Sequence, residues 1–309
     1  MNLLVTGASF CSENELNTLR SLGNNIVFMQ HEKHPLPCEP AWVEGVVGNG
    51  IFLYHPIENF TSLQYIQLTS AGFDRVPMNY IQNHNIEIHN ARGVYSVPIA
   101  EFVLCSILQL YKEFRFFNDN QRKHIWEKNR NLIELHEKNV CVVGCGSIGT
   151  ECAKRFSAFG AHVLGVDITP YDSSSYERML PISQLNKVLG ESDIVVLTVP
   201  LDEKTHHLMN EKSFLKMKKG SILVNVSRGG LIDTKALIQT LENEHIAGAI
   251  LDVFEEEPLP NDSPLWDMKN VIITPHNSFV GSGNHARLWN VIKNNLMSKR
   301  NAFSKPSAR

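Results

Sequence analysis

At 309 residues, with 43% hydrophobic and 20% charged side chains, the chain has an ordinary globular composition and the length of about two domains. A formal net charge of −3, spread along the chain, gives no reason to expect nucleic acid or a membrane surface as partner. No apolar run approaches the roughly twenty residues of a bilayer span, no leader peptide is evident, and six scattered cysteines without a CxxC pair fit a reducing cytoplasm.

Residues 1–94 read as a smaller α/β unit. Leu3 to Thr6, Ile26 to Met29, Gly45 to Val47, Tyr65 to Thr69 and Ile86 to His89 are strand-like, and Glu13 to Leu22 carries a helical pattern between two of them. Gly7-Ala8-Ser9 lacks the further glycines of a phosphate-binding fingerprint. The loop Thr69-Ser70-Ala71-Gly72-Phe73-Asp74 follows a strand, and its small residues leave backbone N–H groups accessible to an anion. A helix is expected next, with Ser96 as N-cap and Pro98 in its first turn. Its polar positions Glu101, Ser106, Gln109 and Glu113 cover little of its surface, so most sides should be packed, at a hinge, a subunit interface or both.

The chain is organised around Asn139 to Asp167. A buried-strand run, Val140 to Val143, leads into Gly144, Gly146 and Gly149 in the G-x-G-x-x-G spacing. The three glycines serve a tight turn, a close approach to a pyrophosphate and helix–strand packing. A helix follows with Ile148, Cys152, Phe156 and Phe159 on one face, stopping at Gly160. The next strand ends in Asp167, placed to accept hydrogen bonds from adenosine ribose hydroxyls. An aspartate there repels a 2′-phosphate, and Ile168 to Tyr171 holds no Arg or Lys, so NAD is expected rather than NADP. Cys141 and Cys145 read as small buried thiols.

Four further runs, Ile194 to Val199, Ser221 to Val226, Ala249 to Val253 and Val271 to Thr274, make six candidate strands alternating with helices. That pattern predicts a doubly wound parallel sheet. A closing helix is expected over Asn284 to Met297, then a frayed basic tail from Lys299 to Arg309. Ligands of such sheets bind outside the carboxyl ends of the strands. Reading the residue after each strand gives Gly144, Asp167, Pro200, Arg228, the Asp252 to Glu257 segment and His276. Glu255 and Glu256 read as solvated charges. His206 and His207 lack metal-ligand spacing, so no metal is expected.

Four motifs in order carry a resemblance: the glycine fingerprint, Asn225-Val226-Ser227-Arg228-Gly229-Gly230, Asp252-Val253-Phe254-Glu255-Glu256-Glu257-Pro258-Leu259, and Thr274-Pro275-His276-Asn277. Together with the early Ala71-Gly72 loop, they resemble the D-isomer-specific 2-hydroxyacid dehydrogenases. The resemblance implies an α/β chain in which a doubly wound, parallel-sheet NAD-binding (Rossmann) domain, residues 95–281, is inserted in a smaller flavodoxin-like substrate domain, residues 1–94 and 282–309. It implies interconversion of a 2-oxo acid and a D-2-hydroxy acid. Arg228 would bind the substrate carboxylate and polarise the carbonyl, and His276 would be the general acid and base. Glu257 would orient His276, and the Ala71 and Gly72 amides would add donors to the substrate. Gly144, Gly146, Ser147, Ile148, Gly149, Asp167, Val199, Pro200, Val226, Ser227 and Asp252 would contact NAD, with Asp252 beside the nicotinamide carboxamide. A homodimer is the family pattern. Two other readings stay open: phosphoglycerate dehydrogenase, for which Arg75 and Arg92 would supply phosphate charge although the chain leaves no room for a regulatory domain after its last helix, and an NADH-sensing binding protein.

Overall fold

Ten or more residues separate each strand from the next, most of these connections holding a helix, so the chain has length to cross over and the strands pair in parallel throughout the described residues. In the computed structural model, which describes residues 1–303, the chain divides into two units. One is Met1–Tyr95 with the segment from Gly281 onward, and the other is Ser96–Val280.

The first unit holds β1 (Asn2–Thr6), β2 (Asn25–Met29), β3 (Gly45–Gly48), β4 (Tyr65–Leu68) and β5 (Glu87–His89) in the order β2-β1-β3-β4-β5. That is the flavodoxin-like order. Leu3 and Val5 point to one face and Leu4 to the other, and all three are fully buried. Leu288, Ile292 and Leu296 of the closing helix, Asn284–Phe303, join the Leu3 and Val5 side of the core. The helix runs past the expected end at Met297, and Lys299 is no frayed solvent charge. Its Nζ lies 2.6 Å from Glu87 and 5.1 Å from the centre of the Tyr65 ring. Residues 304–309 of the expected tail lie outside the described residues.

The second unit holds seven strands: β6 (Asn139–Val143), β7 (His162–Asp167), β8 (Arg178–Pro181), β9 (Ile194–Leu197), β10 (Ile222–Asn225), β11 (Gly248–Leu251) and β12 (Val271–Ile273). Their order, β12-β11-β10-β9-β6-β7-β8, reverses direction between β6 and β9, as in the doubly wound dinucleotide-binding sheets. Strands β6, β9, β10 and β11 are buried almost end to end, which is why they read as continuous apolar runs. The seventh strand, β8, is absent from the sequence reading. It is a half-exposed edge ending in proline, so it needs no apolar run. The apolar helix is Ser96–Tyr111. It buries Ile99, Ala100, Val103 and Ile107, and it begins at Ser96 rather than being capped by it.

Candidate active site

The loop after β6 is shaped by its glycines. Gly144 takes φ +96°, the left-handed region, and a Cβ on it would meet Val199 at 2.8 Å. A Cβ on Gly149 would lie 2.1 Å from the Gly144 carbonyl oxygen, so the helix Ser147–Ala158 starts hard against the turn. Gly146 differs. It is exposed, its φ is −75°, and a Cβ there would meet nothing within 4 Å. Neither packing nor conformation requires glycine at 146. Open space in front of a helix start whose first-turn amides have no intrahelical partner, and no side-chain cap, is what a pyrophosphate would fill. The residues fit a dinucleotide.

The carboxylate of Asp167 at the end of β7 accepts from Cys145 N at 2.7 Å and from Thr169 N at 3.1 Å. It thus fixes the glycine loop, and two of its roughly four acceptor sites remain for hydroxyls. Burial, with the Asp167 charge acting the same way, pushes the Cys145 thiol up to about 11, so it fills space as a neutral group. Ser147 shares a 2.8 Å hydroxyl contact with Ser96, so Ser96 supports the fingerprint helix. Ile148 is half-buried, whereas Phe159, expected on the same apolar face, is 47% exposed past the helix end.

Across the sheet reversal, Thr198 donates to the carbonyls of Val143 at 3.1 Å and Gly144 at 2.6 Å. Nothing in the sequence reading singled it out, although it precedes Val199 and Pro200 at a strand end. The Ser227 hydroxyl donates to the Val199 carbonyl, tying the β9 and β10 ends. Val226 is buried and Pro200 exposed. Asn225 fixes the next turn, donating to the Arg228 carbonyl at 2.9 Å and accepting from Ser227 N at 3.1 Å. Arg228 is half-buried, and its Nη1 donates to the Ser227 carbonyl at 2.8 Å.

Asp252 closes β11 with no surface exposed. Oδ1 accepts from Thr274 Oγ1 at 2.6 Å and Asn277 N at 2.8 Å, and Oδ2 accepts from Ser278 N at 3.0 Å. Its own carbonyl accepts from His276 N at 2.7 Å. The place expected for this carboxylate was beside the nicotinamide. Full burial and three donors show what this carboxylate does within the chain: it holds the loop that carries His276 in its left-handed conformation at φ +51°. Glu257 Oε2 lies 2.9 Å from His276 Nδ1, while Oε1 accepts from Phe254 N at 3.1 Å. Both side chains are 39% exposed, so the pair is open to a ligand yet fixed from behind. The structure therefore brings Glu257 and His276 together.

Glu255 is no merely solvated charge. Its carboxylate binds His207 Nε2 at 2.7 Å and both the amide, at 2.9 Å, and the hydroxyl of Thr234. Among the described residues no group of three His, Cys, Asp or Glu side chains has the arrangement of a metal site.

In the first unit, the loop after β4 has its carbonyls taken. Ser70 O accepts from Ala91 N at 2.8 Å, Ala71 O from Asn90 Nδ2 at 2.6 Å and Gly72 O from Ser70 Oγ at 3.1 Å. The amides of Ala71 and Gly72 take no part in these bonds. They are the donors of a candidate anion loop.

Residues 104–278 match the family model described as D-isomer specific 2-hydroxyacid dehydrogenase, NAD binding domain. A glyoxylate reductase of Thermofilum pendens is 37% identical over 221 residues, 70% of this chain and 65% of that protein. A D-3-phosphoglycerate dehydrogenase of Methanocaldococcus jannaschii is 35% identical over 222 residues, 71% of this chain but 42% of that one. The crystal structure of a D-lactate dehydrogenase from Aquifex aeolicus, complexed with NAD and lactic acid, is 25% identical. It superposes with a TM-score of 0.78 over 98% of this chain and 95% of that chain.

Proposed function

The chain belongs to the D-isomer specific 2-hydroxyacid dehydrogenase family, and on that premise we propose that Arg228, Glu257 and His276 carry the reduction of a small 2-oxo acid to its D-2-hydroxy acid. The family chemistry is NAD-dependent interconversion of these two acid classes. The observation that carries the residue assignment is the 2.9 Å contact between Glu257 Oε2 and His276 Nδ1.

With Glu257 accepting at Nδ1, that nitrogen keeps its proton, and Nε2 is left to protonate the carbonyl oxygen. In the reverse direction the same Nε2 takes the proton from the hydroxyl. Glu257 holds the ring and balances the charge that His276 carries while protonated. Arg228 offers paired donors to the substrate carboxylate, and its permanent charge draws electrons toward the carbonyl oxygen. NADH, when bound, supplies the hydride that adds to the carbonyl carbon. Gly144, Gly146, Ser147, Ile148, Gly149 and Asp167 hold the dinucleotide, with Val199, Pro200, Val226 and Ser227 lining the neighbouring strand ends. Asp252 acts behind the site. Ala71 and Gly72 form an anion loop of the first unit.

Glyoxylate is the first substrate to try, given the reductases of that name among the relatives, and 3-phosphohydroxypyruvate the second. We also propose a homodimer in a reducing cytoplasm, supported by six unpaired cysteines and an exposed arm around Trp126. Among the described residues, no helix is long and apolar enough to cross a membrane.

The test is NADH consumption against glyoxylate, hydroxypyruvate, pyruvate, 2-oxoisocaproate and 3-phosphohydroxypyruvate. Turnover of any one with a D product supports the assignment. Silence across the panel, with NADH bound, would turn the reading toward a sensor.

A further inference from the structure

The loop that follows β11 carries a carboxylate that the proposed mechanism does not use, and the segments that follow β9 and β10 each bring one residue to it. His207 comes from the segment after β9 and takes φ +50°, with its ring stacked on His206 at 3.9 Å between centroids. Thr234, from the segment after β10, opens the helix Thr234–Glu242. Glu255 lies on the loop after β11, two residues before Glu257. The Glu255 carboxylate accepts from His207 Nε2 at 2.7 Å, from Thr234 N at 2.9 Å and from the Thr234 hydroxyl. Partial desolvation works upward on this carboxyl, but the Thr234 and His207 bonds outweigh it and hold it below the ordinary carboxylate range.

Backbone contacts follow the same triangle. His207 N donates to the Gly230 carbonyl at 2.8 Å. A Cβ on Gly229 would lie 2.3 Å from Glu255 N, so the arginine loop and the Glu255 loop touch main chain to main chain. Arg228 stands beside one corner of this triangle and Glu257 beside another.

We propose that Glu255 is a positioning residue for the reaction, locking three strand-end loops together so that Arg228 and the Glu257–His276 pair keep a fixed spacing. It touches neither reacting atom. Its effect passes through Phe254, whose amide holds Glu257 Oε1, and through Gly229, which follows Arg228. The inference rests on the roles given above to Arg228, Glu257 and His276. Glu255→Gln keeps an oxygen for Thr234 and sets an amide N–H opposite His207, so the lock should survive the loss of charge. Glu255→Ala removes it.

Two readouts test this on the full-length protein, one of them independent of turnover. In 15N-labelled protein, the His276 Nδ1 proton, held by Glu257, should give a downfield resonance. It should vanish or broaden in Glu255→Ala and persist in Glu255→Gln. With glyoxylate, or whichever 2-oxo acid is turned over, kcat should fall at least tenfold in Glu255→Ala and stay within threefold in Glu255→Gln, with NADH affinity in both within twofold. If Glu255→Ala fails to fold, His207→Ala removes the imidazole contact and Thr234→Val removes the hydroxyl contact while keeping the backbone N–H, and each should weaken the same resonance. An undisturbed Nδ1 resonance in the folded variants overturns the proposal, as does an equal kcat loss in the Gln and Ala variants. A parent without turnover whose resonance still depends on Glu255 would overturn the reaction assignment and leave the positioning role standing.

Discussion

A Cβ built on Gly229 would sit 1.8 Å from the carbonyl carbon of Phe254 and 2.0 Å from its oxygen. The position after Arg228 is therefore glycine because two backbones meet there. Its neighbour Arg228 is the residue proposed to bind the substrate, and the glycine sets how near the arginine loop comes to the Glu257 loop. Gly229→Ala must push the loops apart, since no flexible side chain can yield. Overpacking of this kind costs about 1–3 kcal/mol, and kcat should drop by more than tenfold because the separation falls between Arg228 and Glu257. Urea unfolding and steady-state kinetics check both. A midpoint and kcat matching the parent would show that the loops have room.

His276→Ala should lower kcat by roughly 10²–10⁴-fold, the usual worth of a general acid, with NADH affinity within twofold. The loop itself should persist, because its anchors are the Asp252 carboxylate and carbonyl rather than the imidazole. Glu257→Gln should fall between the variant and the parent, since an amide oxygen can still accept from Nδ1. Titration of NADH fluorescence alongside kcat separates the effects. Turnover within a few-fold of the parent would remove His276 from the reaction.

Asp167→Asn should raise the ratio of NADP to NAD efficiency by about tenfold, in line with losing one hydrogen bond to a charged acceptor, about 1.5–3 kcal/mol, and with less repulsion of a 2′-phosphate. Asparagine is the milder substitution, since its one oxygen can still accept from Cys145 N while its NH2 replaces the oxygen that faces Thr169 N. The carboxylate also holds Cys145 N and Thr169 N, so Asp167→Ala would loosen the glycine loop and blur the comparison. A ratio within twofold of the parent would place the ribose contact elsewhere.

What the sequence reveals, and what it conceals, follows from the range of each interaction. Buried parallel strands advertise themselves as continuous apolar runs, so β6, β9, β10 and β11 are legible, and the residue after each points to the site. The strand β8 has one edge unpaired and its side chains half in water, so Arg178-Met179-Leu180-Pro181 carries no such mark. Phe159 keeps helical spacing with Phe156 yet falls one residue past the helix, where the face no longer meets the sheet. Asp252 is legible as a strand-end carboxylate, but its three donors lie 22 to 26 residues on and define its task only after folding. The pairing of Glu255 with His207, 48 residues apart, is hidden for the same reason. Lys299 reads as tail solvation because Glu87 meets it only across 212 residues.

The last prediction concerns Trp126. It is 98% exposed on a stretch without helix or strand between Lys123 and Leu135, where Ile125 at 47%, Leu132 at 39% and Ile133 at 44% are also exposed. Backbone bonds tie the stretch to its own chain at Ile125 N to the Asn120 carbonyl, 2.9 Å, and at Ile133 N to the Tyr111 carbonyl, 3.0 Å. Large apolar side chains exposed along one stretch are the kind of surface at which chains associate. Charges of both signs on it, Lys123, Glu127, Lys128, Arg130 and Glu134, suit pairing with a second copy of itself. Sedimentation velocity should find the parent dimeric at micromolar concentration. Trp126→Ser should weaken the dimer by about 2 kcal/mol or more, roughly 30-fold in Kd, as loss of a tryptophan hot spot does. The arm is far in sequence from Arg228, Glu257 and His276, so kcat per chain should change less than dimerisation does. A parent that stays monomeric at every concentration would rule out the homodimer, and a variant that dimerises as tightly as the parent would move the interface away from Trp126.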